Sequence, residues 1–408
     1  MLPRILSLKS RPDIINELRS MNVDEYGIKI MSPKADFYLI KLSKVSSVAA
    51  NILKQEMLSL GGEAAISRQS ITGKGSYTDC LLIGNFVQLN NLINKLKIQP
   101  FKLNEIGMDI KDVLTDYKKD RFVFRCRNKR IEISNKSLIM GIINVTSDSF
   151  SGDGILANLN FRSKKELESF VVKMAERLTS DGVDIIDIGA ESTRPGAKPV
   201  SSKVELERIS FCIKTLAKRF RIPISVDTYK PEVARVALDL GASIINDITG
   251  LRNDNMRKVV SKYKAGVIIM HMKGNPRIMQ VRPCYKSLIE EIIGFLKESM
   301  DLAIDSGIKS ENIIVDPGIG FGKTFEHNLE ILKNLGEFKI LGRPILVGVS
   351  RKSFIGKINS AKNGDRVFGT AAAVALAIKE GANILRVHDV KEMLQVAKTC
   401  DTILRGKL

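Results

Sequence analysis

The stretch Val183-Asp184-Ile185-Ile186-Asp187-Ile188-Gly189-Ala190-Glu191-Ser192-Thr193-Arg194 decides the fold, because a short run rich in Ile and Val stops at residues fit for chemistry. The same pattern lies on either side of it. Upstream, Leu138–Ile143 runs into Asn144. Downstream, Ile222–Val226 stops at Asp227, Ser243–Ile245 at Asn246-Asp247, Val267–Met270 at His271 and Ile313–Val315 at Asp316. Ile345–Val349 then meets Ser350-Arg351-Lys352, and Ile384-Leu385 meets Arg386-Val387-His388. Helix-like stretches of ten or more residues separate these eight runs. Eight β-then-α units predict an α/β fold of the (β/α)8 TIM-barrel type, with the active site at the carboxyl ends of its strands. The polar residues that end the runs should converge on one pocket.

The chain has 408 residues, so a barrel of about 250–270 residues (137–408 here) leaves a separate front segment. Over residues 1–115, Asp36–Lys41 alternates like a strand and Val45–Leu60 has helical apolar spacing. Glu63–Ser67 and Tyr77–Ile83 read as strands around Gly73-Lys74-Gly75, Phe86–Leu96 as a helix and Phe101–Leu103 as a last strand. That order predicts a small α+β domain of ferredoxin-like type, with Asn104–Asp120 as a linker. Nothing in it has the spacing of a metal or phosphate site. Between the two, residues 116–136 alternate as Phe-Val-Phe and Arg-Ile-Glu-Ile about Arg127-Asn128-Lys129, which predicts a basic hairpin closing the barrel floor.

Composition removes several function classes. The net charge is +19, but the lysines are spread along both halves and many neighbour Glu or Asp, which favours a solvated surface over nucleic-acid binding. No apolar run reaches the ~18 residues needed to cross a bilayer, and Met1–Ser10 lacks the apolar core of a signal peptide. A cytoplasmic protein with no membrane partner is expected. Five scattered cysteines, with no C-x-x-C pair, read as reduced thiols.

The strand ends divide into two chemical sets. Asp227, Asn246 and Asp316 offer carboxylates and an amide suited to a flat heterocycle with amidine-like N–H groups. For either Asp alone, helix capping is an even alternative, since Pro231 and Pro317 follow closely; together with Asn246 and Lys352 the site reading prevails. Arg386 and His388 are one residue apart on a strand and so face the same way, a fitting pair for phosphate oxygens. Asn144 adds an amide able to meet a phosphate or Mg²⁺. Gly318–Thr324 has the look of a nucleotide P-loop but carries Pro317 where the motif needs glycine, and is rejected as one.

These residues lie in longer motifs. Met140–Ser151 (Met-Gly-Ile-Ile-Asn-Val-Thr-Ser-Asp-Ser-Phe-Ser) and Asp187–Gly196 (Asp-Ile-Gly-Ala-Glu-Ser-Thr-Arg-Pro-Gly) closely resemble the two signatures of dihydropteroate synthases. The resemblance continues in family order through Ser225–Thr228, Ile245–Asp247, Met270–Met272, Asp316–Lys323, Ser350–Ser353 and Arg386–Val390, leaving the front domain outside it. It implies condensation of 6-hydroxymethyl-7,8-dihydropterin diphosphate with 4-aminobenzoate, by a dissociative route with Mg²⁺ as cofactor, in a cytoplasmic homodimer that sulfonamides target. It assigns Asp227, Asn246, Asp316 and Lys352 to the pterin. Asn144, Arg386 and His388 go to the diphosphate, with Asn144 also a Mg²⁺ ligand. Thr193, Phe321, Lys352 and Ser353 go to the aminobenzoate, and Asp227, Lys352, Arg386 and His388 carry the catalysis. Asp148, Phe150, Arg194 and Pro195 would lie on two mobile loops. Ser147 stands where a proline is usual, and Asp153 sits one place later than in the commoner form of the first loop. A pterin-dependent methyltransferase on the same barrel would have no use for Arg386 and His388 as an anion pair. A non-catalytic homologue would be expected to lose part of the constellation.

Overall fold

A computed structural model describes residues 2–8, 10–72, 75–134, 136–145, 164–192, 199–276, 278–359 and 366–406. The chain divides into two compact units, residues 1–115 and 116–408.

The front unit carries β1 (Phe37–Ser46), β2 (Glu63–Ile66) and β3 (Tyr77–Asn85) in the antiparallel order β1-β3-β2. Helix Ser47–Ser59 joins β1 to β2, and Phe86–Leu96 follows β3. This is the split β-α-β arrangement expected, with one correction. Phe101–Leu103 forms no strand; Leu103 instead opens a helix to Tyr117, through the residues read as a linker. Leu103, Ile110 and Leu114 recur at helical spacing and pack into the core of this unit with Leu53, Leu82 and Leu92. A three-stranded sheet with an added helix therefore replaces the four-stranded form. A short helix, Arg68–Ile71, also follows β2.

In the second unit, β4 (Phe122–Cys126) and β5 (Lys129–Ile133) pair as an antiparallel hairpin, turning at Arg127 with φ 59°. Eight parallel strands follow. They are β6 (Leu138–Asn144), β7 (Ile185–Gly189), β8 (Ile224–Asp227), β9 (Ile244–Asp247), β10 (Gly266–Met270), β11 (Ile313–Asp316), β12 (Leu346–Val347) and β13 (Ile384–Val387). Their order around the sheet is β11-β10-β9-β8-β7-β6-β13-β12. The ring is completed by a bridge between Val315 and Ile345, where the Val315 N–H donates to the Pro344 carbonyl at 3.0 Å. The (β/α)8 barrel of the sequence reading is thus the observed fold.

Strand alternation sorts the side chains into layers, because successive residues point to opposite faces. Outward residues such as Ile139, Ile186, Val226, Ile245, Ile269, Val315 and Leu385 pack with the surrounding helices in one large core. Inward, Met140, Ile185, Ile244, Ile268, Ile314, Leu346 and Ile384 form an apolar layer together with Phe124, Cys126 and Ile133 of the hairpin. The hairpin is a plug in the barrel floor. It is tied there by the Arg127 guanidinium, which donates to the carbonyls of Leu238 (2.7 Å) and Ala242 (3.0 Å), and by Lys129, which donates to those of Arg221 and Ile222. Two residues further along the strands, the inward positions become Ile142, Asp187, Asn246, Met270, Asp316 and Arg386. One period separates a greasy floor from a charged pocket. All five cysteines are free thiols, and burial pushes Cys80 and Cys126 up to about 11, away from thiolate chemistry.

Candidate active site

Above the polar layer lies a cavity of about 610 Å³, lined among others by Asn144, Asp227, Phe321, Lys352, Ser353, Arg386 and His388. Asn246 and Asp316 sit beneath it, buried on β9 and β11. The barrel therefore brings together nine of the residues singled out in the sequence. Thr193, Arg194, Pro195, Asp148 and Phe150 lie outside the described residues.

Arg386 is the hub. Its Nε donates to Asp187 Oδ2 at 2.7 Å and its Nη2 to Asp227 Oδ2 at 2.8 Å. Asn246 Nδ2 also donates to Asp187 Oδ2, at 3.4 Å. Asp227 caps no helix, since Lys230 occupies the N-cap of Pro231–Asp239. Burial drives its carboxyl upward, Arg386 opposes this, and the neighbouring Asp187 adds to the rise. Asp227 Oδ1 is buried without a partner among the described residues, an acceptor ready for a ligand N–H. Asp316 is also raised by burial, against the Gly318 N–H that donates to its Oδ1 at 2.7 Å.

Lys352 follows β12, the strand next to β13. Its ammonium donates to the Ile319 carbonyl and lies 4.7 Å from the centre of the Phe321 ring. Burial lowers it to about 8, although Asp316 pulls the other way. Ser353 opens the helix Ser353–Asn359 beside it. His388 faces the same cavity as Arg386. Its Nδ1 is 3.0 Å from Ser350 Oγ, and burial together with Arg386 and Arg351 pushes the imidazole down to about 3. The ring is therefore neutral and presents a neutral N–H or lone pair to the cavity. Arg351 is committed elsewhere, to Asp389 at 3.0 Å from its Nε.

The loop read as a false P-loop directs its amides inward. Gly318 donates to Asp316, Phe321 to the Gly318 carbonyl and Gly320 to Asn328, while Thr324 caps the helix Phe325–Lys333. These amides are thus committed within the protein.

Sequence reading assigned no roles to several residues that shape this site. Asp187 is one; its signal is a carboxylate at an inward position of an otherwise apolar strand. Glu191 is another, lining the cavity while Tyr229 donates to its Oε1 at 2.8 Å and Lys230 to its Oε2. Lys230 also binds Glu205 and the Val200 carbonyl, both at 2.7 Å. Lys323 and His271 form a buried pair under the Gly318 loop.

A barrel whose inward layer pairs carboxylates and an amide with an arginine–histidine couple defines a pterin-binding enzyme. The family model "Pterin binding enzyme" matches residues 140–388. The chain belongs to this family and, within it, to the dihydropteroate synthases, enzymes of folate biosynthesis. It is 43% identical over 280 residues to the dihydropteroate synthase of Clostridium beijerinckii, covering 68% of this chain and 98% of that one. A crystal structure of the Clostridium difficile dihydropteroate synthase, obtained in the presence of pteroic acid, is similar at 45% identity and a TM-score of 0.60, over 66% of this chain and 97% of that one. A third relative extends further. The probable bifunctional folylpolyglutamate synthase/dihydropteroate synthase of Halobacterium salinarum is 37% identical over 397 residues, 97% of this chain and 46% of that protein. The front unit, left out of the motif resemblance, is therefore included in this similarity. Among the described residues no helix is long and apolar enough to cross a membrane.

Proposed function

We propose that the barrel condenses 6-hydroxymethyl-7,8-dihydropterin diphosphate with 4-aminobenzoate, releasing 7,8-dihydropteroate and diphosphate. The observation that carries this reading is the junction of the two chemical sets: Asp227, on the pterin side, is 2.8 Å from Arg386, on the anion side. A pterin lying on Asp227, Asn246 and Asp316 would have its diphosphate directed at Arg386, His388 and Asn144. Arg386 and His388 stabilise the charge that gathers on the leaving diphosphate. The Asp227 carboxylate lies against the methylene as it becomes cationic, and Asp316 and Asn246 hold the ring in register. Lys352, Phe321 and Ser353 offer a cation, an aromatic face and a helix N-terminus to the arylamine acid. The arylamine is already neutral and nucleophilic, so no general base is required.

Asn144 fits a role toward Mg²⁺. Its Oδ1 and Asp227 Oδ2 overhang Gly189 together, 3.5 and 3.9 Å from where a side-chain carbon there would stand. Among the described residues no group of three His, Cys, Asp or Glu could hold a metal alone. This suits an ion brought in by the diphosphate and held by one or two protein oxygens, as Mg²⁺ commonly is. Bound there, Mg²⁺ would supply charge neutralisation to the leaving group. We extend the reading to a homodimer in the cytoplasm, which sedimentation and cell fractionation check. The decisive assay mixes purified protein, Mg²⁺, the pterin diphosphate and 4-aminobenzoate, and quantifies dihydropteroate and diphosphate together. Equal amounts are expected; diphosphate without dihydropteroate would overturn the assignment of the acceptor.

A further inference from the structure

Arg386 has two edges that can bind an anion, and only one is engaged. Its Nε and Nη2 donate to Asp187 and Asp227, while Nη1 makes no bond among the described residues. The two carboxylates are not equivalent. Asp227 ends its strand and lines the cavity, whereas Asp187 is fully buried at an inward position of β7. Asp187 Oδ2 accepts from both Arg386 Nε and Asn246 Nδ2, so one oxygen orients a guanidinium on the anion side and an amide on the pterin side. Its Oδ1 is buried with no partner among the described residues, and so is Ser225 Oγ, which the strand register places beside it. A carboxylate this deep touches no substrate itself.

We propose that Asp187 is a positioning residue that turns the Nη1 edge of Arg386 toward the diphosphate. This rests on the reading of Arg386 as a diphosphate ligand. A guanidinium is a rigid planar fork, so fixing one edge fixes the direction of the other. Asp227 then keeps Oδ2 on Arg386 and offers Oδ1 to the ring, without breaking the pair. Coulomb attraction alone predicts the opposite sign of effect. A buried negative charge this close repels diphosphate, so neutralising it would tighten diphosphate binding if charge were its only contribution. A role in orientation makes binding weaker.

The test is calorimetry of inorganic diphosphate with Mg²⁺ on the full chain, alongside KM and kcat for both substrates. Asp187→Asn should weaken diphosphate and raise the KM for the pterin diphosphate by about tenfold or more, leaving the KM for 4-aminobenzoate within about twofold. Asp187→Glu keeps the charge but displaces it by one methylene and should also weaken diphosphate; it serves if Asp187→Asn does not fold. In an Arg386→Lys background, where there is no fork to orient, Asp187→Asn should cause little further loss. Tighter or unchanged diphosphate binding in Asp187→Asn overturns the proposal, as do additive losses in the double variant. The underlying reading fails separately, if Arg386→Lys alone binds diphosphate like the parent.

Discussion

Lys323 Nζ lies 2.7 Å from His271 Nδ1, and both side chains are buried. The same ammonium donates to the His271 carbonyl at 3.1 Å, and the imidazole meets Phe295 edge-on with 5.0 Å between ring centres. Burial pushes Lys323 well below its ordinary range, with Asp316 opposing, and pushes His271 down as well. A neutral imidazole accepts from the lysine. Gly318, at φ 70°, lets the loop close over this pair, since a side-chain carbon there would stand 1.9 Å from the His271 carbonyl oxygen. Phe321 rides on that loop.

The depressed Lys323 sets a pH dependence with a definite sign. In the window between its lowered value and the ordinary 10.5, the unfolded chain binds the proton more readily than the folded one. Stability contributed by this group therefore rises with pH, by at most about 1.4 kcal/mol per pH unit. Urea midpoints of the parent should gain on those of Lys323→Met between neutral pH and about pH 9.5. Parallel pH curves for the two proteins would contradict the buried pair.

Lys352, lowered to about 8, should appear in catalysis. The profile of kcat/KM for the pterin diphosphate reports groups of the free enzyme. It should fall as pH rises through about 8, where the ammonium is lost. In Lys352→Arg, overall less active, that limb should disappear from the measurable range, because arginine stays charged.

Ser350 holds His388 through the 3.0 Å contact at Nδ1. Ser350→Ala should lower kcat/KM by roughly 1 kcal/mol, the worth of a typical hydrogen bond. On the proposed reading, in which those groups meet developing charge, Arg386→Ala or His388→Ala should cost about 2–4 kcal/mol. Thermal melting of Ser350→Ala and His388→Ala should stay near that of the parent, whereas Arg386→Ala, which leaves the buried Asp187 and Asp227 without their cation, should melt lower. If Ser350→Ala equals His388→Ala, the serine acts on substrate directly.

The floor plug carries stability. Phe124→Ala should destabilise by about 3–5 kcal/mol. Gly266→Ala should also destabilise, because its methyl would stand 2.4 Å from Phe124 Cζ. A chain begun at Asp116 should fold and turn over substrate, whereas one begun at Ser137 should aggregate, its apolar floor open to water. Inactivity of the well-folded Asp116 chain would give the front unit a part in the chemistry.

Most of the barrel was legible because each strand writes its end in the sequence: Asp227, Asp316 and Arg386 all follow an apolar run. The front sheet was less so, since Phe101–Leu103 has the composition of a strand and only the later Ile106, Ile110 and Leu114 reveal the helical period. What could not be read was pairing. Asp187 and Arg386 are 199 positions apart, and their 2.7 Å bond depends on β6 lying between β7 and β13. Glu191 and Lys230 meet for a similar reason, across the β7–β8 pair. Periodicity tells which face a side chain takes, while closure of the ring decides whom it meets there.

The seam between β11 and β12 has a mechanical consequence. Strands β6 to β11 are joined by continuous ladders, but β12 has only two residues, and the bridge to β11 lies just before it, at Ile345. Asp227 and Asn246 stand on the stiff arc; Ser350, Lys352 and Ser353 follow the weak one. Amide hydrogen exchange should run faster at Val347 than at Ile186, as local opening begins where cross-strand bonding is thinnest. On the proposed assignments, Asp227 and Asn246 of the pterin side are held by the stiff arc, Ser353 of the acceptor side follows the seam, and Lys352, which serves both, follows it too. Changes that broaden acceptor tolerance without loosening the pterin should therefore accumulate along the seam.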